Sequence, residues 1–372
     1  IETVASGVSR LNYPLIDGVV NGCPSHLLEP QRTNGITYSS DFSNAIWLKV
    51  NSSIGSNVVI SPDGTLNADK IIPSSGVSVE TSFAYQKFTK PTTSKTYIVS
   101  VFAKIGEYNQ MTLYTRDDNT SSNRAEVKFS LLNGSIISSA SSFGTFSNAS
   151  SENGENVGNG WYRFKLKLTT GTENRIQHRV VVSNSTALNG DGTSGVYLWG
   201  AMLEEGSFIS SYIPTTNSAV TRSAETANGA GDASTFNDSE GVLMAEISAL
   251  ANDGTYRIIS LSDGSVNNST NIQYSGVSNT IRTRTENAGV TQTNITYIVS
   301  STIVISKMAV LYKSNQFELW LNGFKVGEDT LGTPPTGINK LSFDSGTGAN
   351  DFYGNVKQIQ YFDSALNDSD LE

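Results

Sequence analysis

The feature that most constrains this chain is strict alternation of apolar and polar residues in short runs broken by turn residues. In Trp161-Tyr-Arg-Phe-Lys-Leu-Lys-Leu168, Tyr162, Phe164, Leu166 and Leu168 share one face, and Trp161, Arg163, Lys165 and Lys167 the other. Side chains on a strand repeat every two residues, so this run reads as a half-buried antiparallel strand. Thr96 to Ala103 and Gln110 to Thr115 read the same way. Pro62-Asp63-Gly64, Asn133-Gly134, Asn159-Gly160 and Asn189-Gly190-Asp191-Gly192 separate such runs at sandwich-like spacing. No sustained helical period competes. The best helical candidate is a short turn from Ser43 to Trp47, behind the cap signal Ser40-Asp41. The expected fold class is all-β, with two β-sandwich domains.

Composition supports that reading. At 372 residues the chain is too long for one ordinary sandwich. Charged residues make up 16%, below the usual share of about 25%, and Ser, Thr, Asn and Gly, which favour turns and strand faces, replace them. Fifteen Phe, 15 Tyr and 4 Trp need cores, which excludes disorder. The net charge of −9 offers no basic stripe for nucleic acid, and no apolar run approaches the roughly 20 residues of a membrane span. Neither nucleic acid nor membrane insertion is expected. The single Cys23 rules out an internal disulfide framework.

The small, polar stretch Ser223-Ala-Glu-Thr-Ala-Asn-Gly-Ala-Gly-Asp232 marks a break. It divides the chain into a connecting segment 1–25, a first sandwich 26–223, a linker 224–238 and a second sandwich 239–372. The chain opens on Ile1, and residues 1–25 are expected to connect to whatever precedes them. In the second half, strands are predicted over residues 241–250, 256–261, 280–285, 296–300, 307–313, 316–322, 340–343 and 352–362, with a closing turn at 364–371. No tandem repeat is present.

Longer strings carry a resemblance. Leu27-Leu-Glu-Pro-Gln-Arg-Thr-Asn34, followed by Thr37 to Trp47, Pro62 to Thr65, Gly158-Asn-Gly-Trp-Tyr-Arg163, Val196 to Gly206 and Ser211 to Thr215, resembles a family of bacteriophage tail and structural proteins. The blocks stand in that family's order and cover about residues 1 to 223. The resemblance implies a jelly roll similar to galactose-binding and carbohydrate-binding modules. Glu318-Leu-Trp-Leu-Asn-Gly323 and Phe352 to Phe362 are similar to the strand-and-turn signature and last core strand of laminin-G and concanavalin-like sandwiches.

Phe102 to Gln110 resembles a strand of one alginate lyase family, with Arg124-Ala-Glu126 and Gln177-His178 as its other marks. They stand in the wrong order, however, and Gln177-His178 lacks the intervening residue. Elimination chemistry needs base, acid and carboxylate neutraliser on one face. Paired glycosidase carboxylates are missing, because the adjacent Glu204 and Glu205 should face opposite ways on a strand. His26 and His178 are the only histidines, without a nucleophile elbow. The expectation is a non-enzyme with no catalytic residues.

Binding residues are another matter. A sugar's apolar face stacks on aromatic rings while polar neighbours take its hydroxyls. Trp47, Tyr85, Tyr108 and Tyr114 are the candidates in the first sandwich, and Tyr256, Tyr274 and Arg282 in the second, with Arg284 beside them. Trp161 and Trp199 are expected in the core. Phe317, Leu319 and Leu321 share a face that should be buried, with Trp320 and Glu318 opposite. Asp63, Asp117, Asp118, Asp191 and Asp263 supply oxygen ligands suited to a structural calcium. The competing reading is that each stabilises its own turn. No other cofactor is expected.

Together these readings describe a non-catalytic, extracellular phage virion protein of the tail or fibre. Its expected partners are bacterial surface polysaccharide, other virion proteins and copies of itself in a trimer. The alternatives are a secreted bacterial polysaccharide-binding or alginate-type lyase protein, and a capsid-decorating structural protein.

Overall fold

The computed structural model describes residues 10–16 and 18–372. Its regular structure is almost wholly β-strand, and the described helices are Val79–Thr81 and Asp368–Leu371. None is long and apolar enough to cross a membrane among the described residues. The expected all-β class with two sandwiches is what the chain adopts. One compact unit holds Pro14–Asn21 and Gln31–Ser223; the other holds residues 10–13, Gly22–Pro30 and Ala224–Glu372.

In the first unit one sheet runs in the order Ser147–Ser150, Trp161–Thr169, Thr96–Lys104, Val196–Glu205, Leu66–Pro73, Ser52–Ile60, with Glu155–Gly158 paired to Trp161–Thr169. The opposing sheet runs Ile136–Phe143, Arg124–Ser130, Gln110–Asp117, Arg175–Ser183, Phe83–Thr89, Leu48–Val50. Between them lie Val99, Val101, Phe164, Leu166, Met111, Leu113, Val127, Phe129, Val180 and Val182. These are the alternate residues that the period of two sends inward. Asn159 and Gly160 both take positive φ in a two-residue connection, the geometry that matches the twist of paired strands.

The expected polar face of Trp161–Thr169 is partly covered. Trp161 clusters with Phe102, Trp199 and Ala68 on the far side of its sheet, and Tyr212 packs on that cluster. Both tryptophans are therefore buried, as expected, but outside the central core. Buried Asn34 donates to the carbonyls of Ala201 (3.1 Å) and Ile213 (2.9 Å) and accepts from the amides of Ile36 (3.0 Å) and Leu203 (3.1 Å). Its hydrogen-bonding capacity is thus filled. Ser39 meets the Tyr212 hydroxyl at 2.7 Å, and Glu204 accepts the Ser210 amide (2.9 Å) and hydroxyl (2.7 Å). Burial pushes the Glu204 carboxyl up against those hydrogen bonds, which pull it down. Arg32 to Asn34, Val196 to Gly206 and Ser211 to Thr215 form one structural clasp.

The second unit pairs a sheet ordered Arg10–Asn12, Ser25–Leu28, Gly354–Phe362, Glu240–Ala249, Ser306–Lys313, Gln316–Leu321, Phe324–Asp329 with a sheet ordered Asn228–Ala230, Lys340–Ser342, Arg257–Ser262, Ser269–Tyr274, Thr280–Asn287, Val290–Ile298. Leu243, Ile247, Val310, Phe317 and Leu319 meet Ile259, Leu261, Ile272, Tyr274 and Ile281 in its core. Asn322-Gly323, both at positive φ, closes the two-residue hairpin that the sequence placed there.

Three boundaries differ from expectation. Residues 26–28, read as the opening of the first sandwich, pair instead with Gly354–Phe362, because Leu28 belongs in the second core. Arg10–Asn12, read as part of a connecting segment, pairs with Ser25–Leu28. Asn228–Ala230, inside the stretch read as a linker, is a strand against Lys340–Ser342. In chain order the first sandwich is thus an insertion within the second. Residues 43–47 form turns rather than a helix, because Asp41 Oδ1 draws the amides of Ser43 and Asn44 (both 3.1 Å) into a local turn.

Candidate functional site

The outer face of the first unit's Ile136–Phe143 to Leu48–Val50 sheet gathers the site. Residues far apart in sequence become neighbours through register. Glu126, Tyr114, Arg179 and Tyr85 stand opposite one another in a row across four strands. Lys128, Thr112, Val181 and Phe83 form the next row, and Arg124, Arg116, Gln177 and Lys87 the row on the other side. Aromatic and long side chains on such rows touch directly.

Arg179 sits at the centre. Its guanidinium carbon lies 4.5 Å from the ring centre of Phe83, 5.3 Å from Tyr114 and 5.6 Å from Tyr85, within reach of a cation–π attraction to each. Nε and Nη2 both donate to Gln177 Oε1, at 3.0 and 2.6 Å. Gln177 in turn donates to Asp118, which also pairs with Lys87 at 3.1 Å and with Arg175. The arginine is therefore held in one pose by a hydrogen-bond chain from behind and three rings at its sides. Burial, and after it the charge of Arg116, hold its guanidinium below its ordinary value. A depression of about 390 Å³ opens over Phe83, Thr112, Tyr114, Glu126, Lys128 and Arg179. Ser138, Ser139 and Ser141 line its margin with hydroxyls. Half-buried rings beside hydroxyls and charged heads can stack on a ring-shaped polar ligand and take its hydroxyls.

Of the residues named from sequence, Tyr85 and Tyr114 lie on this face, brought together around Arg179. Trp47 does not. It is fully buried, stacks on Phe42 at 4.4 Å and donates from Nε1 to the Tyr38 carbonyl at 3.0 Å. Tyr108 is also core, at 5% exposure, because its loop folds under the sandwich end. Both are corrected from surface to core. Phe83, Arg179 and Gln177, which complete this face, were not among the binding candidates named from sequence; alternation puts them on one face, but only register puts them beside the two tyrosines.

In the second unit Tyr256 is partly exposed, and the Arg282 guanidinium lies 5.3 Å from its ring centre while donating to Gln273 at 2.9 Å. Arg284 is tied to Glu286 on the same face. Tyr274 is not with them. It points inward at 3% exposure and donates to the Ile247 carbonyl at 3.1 Å, since residues alternate sides along Ser269–Tyr274. Trp320 is covered: Leu366 and Leu371 of the C-terminal segment pack on its cluster, and its Nε1 donates to Glu318 at 2.8 Å.

The aspartates act within their turns. Asp63 accepts from Ser61, Thr65 and Asn67, Asp191 from Thr193 and Ser194, and Asp263 from Ser265 and Asn268. Asp117 accepts the Asn119 amide at 2.9 Å and Asn123 at 3.2 Å. Asp118 belongs to the Gln177 chain. Hydrogen bonds from Ser194 and Thr193 hold Asp191 well below the usual carboxylate range. Among the described residues no group of three or more His, Cys, Asp and Glu side chains converges as a metal cluster.

No family model matches the chain, and no curated protein matches it in sequence. Among solved structures it is similar to the Ruminococcus gnavus IT-sialidase CBM40, at 15% identity and TM-score 0.33 over 39% of this chain and 91% of that one. It is also similar to domains LG4-5 of the mouse laminin alpha1 chain, at 11% identity and TM-score 0.28 over 73% and 85%. A third likeness is to sheep Galectin-11, at 9% identity and TM-score 0.25 over 33% and 90%.

Proposed function

We propose that the chain is a non-catalytic tail or fibre protein of a bacteriophage, whose first sandwich grips glycans on the bacterial surface. The observation that carries the glycan reading is the row Tyr114–Arg179–Tyr85 with Phe83 beside it, half-buried on the outer face of one sheet and rimmed by serine hydroxyls. Rings offer flat apolar area, the arginine and hydroxyls offer donors, and the sheet holds all of them without large loop rearrangement. The virion role is supported by the phage-like strings, which form the clasp around Asn34.

The lyase alternative loses its geometry. His178 is buried inside the sandwich, Gln177 faces outward, and Tyr108 lies in the core, so the three do not line one trench. A shallow single-sugar site is weak, and a trimeric fibre would multiply it through effective concentration. The test is a glycan array probed with the intact protein and with the double variant Tyr85→Ala, Tyr114→Ala. Binding by the intact protein and its loss in the variant are expected; an array without hits would overturn the glycan reading. Antibody labelling of particles should mark the tail, and labelling of the capsid shell would favour a decorating role.

A further inference from the structure

The charges on the Arg179 face do not cancel, and their pairing shows which one is left over. Glu126 pairs with Arg124 at 3.7 Å, Glu80 with Lys128 at 3.2 Å, and Asp118 with Lys87 at 3.1 Å and with Arg175. Each carboxylate at this face therefore already has a cation. Arg179, at the centre of the row, makes no ion pair among the described residues; its protein acceptor is the neutral Gln177. Arg116, in the adjoining row, donates to the carbonyls of Asp117 (2.8 Å) and Asp118 (3.1 Å) rather than to a carboxylate. A local excess of positive charge thus stands on a chain whose net charge is −9.

A half-buried guanidinium with a neutral partner is costly to keep unless something rewards it. Three rings offset part of that cost and fix the plane of the head group. The fork left unspent by Gln177 matches a carboxylate in shape, and arginine is favoured where planar anions are recognised.

Building on the glycan reading above, we infer that the face selects acidic glycans, with Arg179 receiving the carboxylate of a uronate or sialate sugar whose ring lies against Tyr85, Tyr114 or Phe83. Selectivity then comes from supplying the missing counter-ion. A neutral sugar leaves the arginine unpaired and forgoes the strongest contact in the site.

The test is an array carrying uronate and sialate oligosaccharides, their methyl esters, and sulfated and neutral counterparts, read with the intact protein, R179Q and R179K. The acids should bind more tightly than their esters, and R179Q should lose about tenfold or more in affinity for them. R179K should retain part of it, and binding should weaken between about 0.05 and 0.5 M salt. Unchanged melting temperature and near-ultraviolet circular dichroism would show that R179Q remains folded. Equal binding of acid and ester, or an R179Q variant that binds as before, would overturn this inference and leave glycan binding standing. Binding confined to sulfated members would overturn the carboxylate assignment. No binding to any member would remove both readings.

Discussion

Gln177 and His178 are adjacent in the chain and face opposite sides of the same sheet. Gln177 braces Arg179 on the outer surface, whereas His178 is fully buried with Nδ1 3.4 Å from the Thr115 hydroxyl. One step along a strand turns a side chain through the sheet. Two neighbours in sequence are thus split between a surface and a core.

That split predicts an acid-sensitive fold. Burial lowers the His178 pKa to about 4 from its ordinary 6.5. Between those values the unfolded chain binds a proton that the folded one refuses, so stability falls as the pH drops from about 6.5 to 4. The integrated loss is roughly 3 kcal/mol. Urea unfolding across this range should show it, and His178→Leu should flatten that part of the profile; an unchanged slope in the variant would assign the effect elsewhere.

The clasp predicts a large effect from one small residue. Asn34→Ala strands two carbonyls and two amides that Asn34 serves in a fully buried site. Each unsatisfied buried group costs about 1–3 kcal/mol. The first sandwich should lose at least about 3 kcal/mol in urea unfolding, and Asn34→Asp should not rescue it, because the carboxylate cannot donate.

Aromatic substitutions should separate into two phenotypes. Tyr85→Ala and Tyr114→Ala remove rings on the outer face and should cut glycan affinity about tenfold with little change in melting temperature. Trp47→Ala opens a cavity beside Phe42 and should cost about 3–5 kcal/mol of stability. Equal loss of binding from a folded Trp47 variant would count against the assigned face.

The C-terminal segment is predicted to be a lid on Trp320. Ending the chain at Asp363 removes Leu366 and Leu371 from that cluster. The other tryptophans, Trp47, Trp161 and Trp199, are buried in the first unit. A red shift and faster acrylamide quenching of tryptophan fluorescence should therefore report Trp320 alone. A spectrum identical to the intact chain would show that the segment is not its cover.

Connectivity makes the second sandwich dependent on the chain's start. Arg10 pairs with Glu29 and Glu225, both at 2.6 Å, and Leu28 fills the second core. A fragment of residues 224–372 lacks Arg10, Glu29 and two strands of one sheet. It should unfold at lower urea than the second unit does in the intact chain, and adding a peptide of residues 22–30 should raise its midpoint. Equal midpoints without the peptide would refute that dependence.

Period-two alternation placed several strands and their inward faces, because side-chain direction along a strand is a local property of the backbone, but it left Ser269–Tyr274 and Phe324–Asp329 unread. Thr96 to Lys104 and Gln316 to Leu321 lie within a residue or two of where the pattern put them. The laminin-G-like resemblance of Glu318 to Gly323 also marked the turn at Asn322-Gly323. Three things needed the folded chain. Which outward faces stay in water depends on distant segments, and so Trp161 and Trp320 were covered by pieces of chain that no alternation announces. Leu27-Leu28 went to the second sandwich and Arg32 to Asn34 to the first, because two cores competed for one continuous string. The meeting of Tyr114, Arg179 and Tyr85 is set by strand order and register, which are long-range choices made by burying both faces of each core at once.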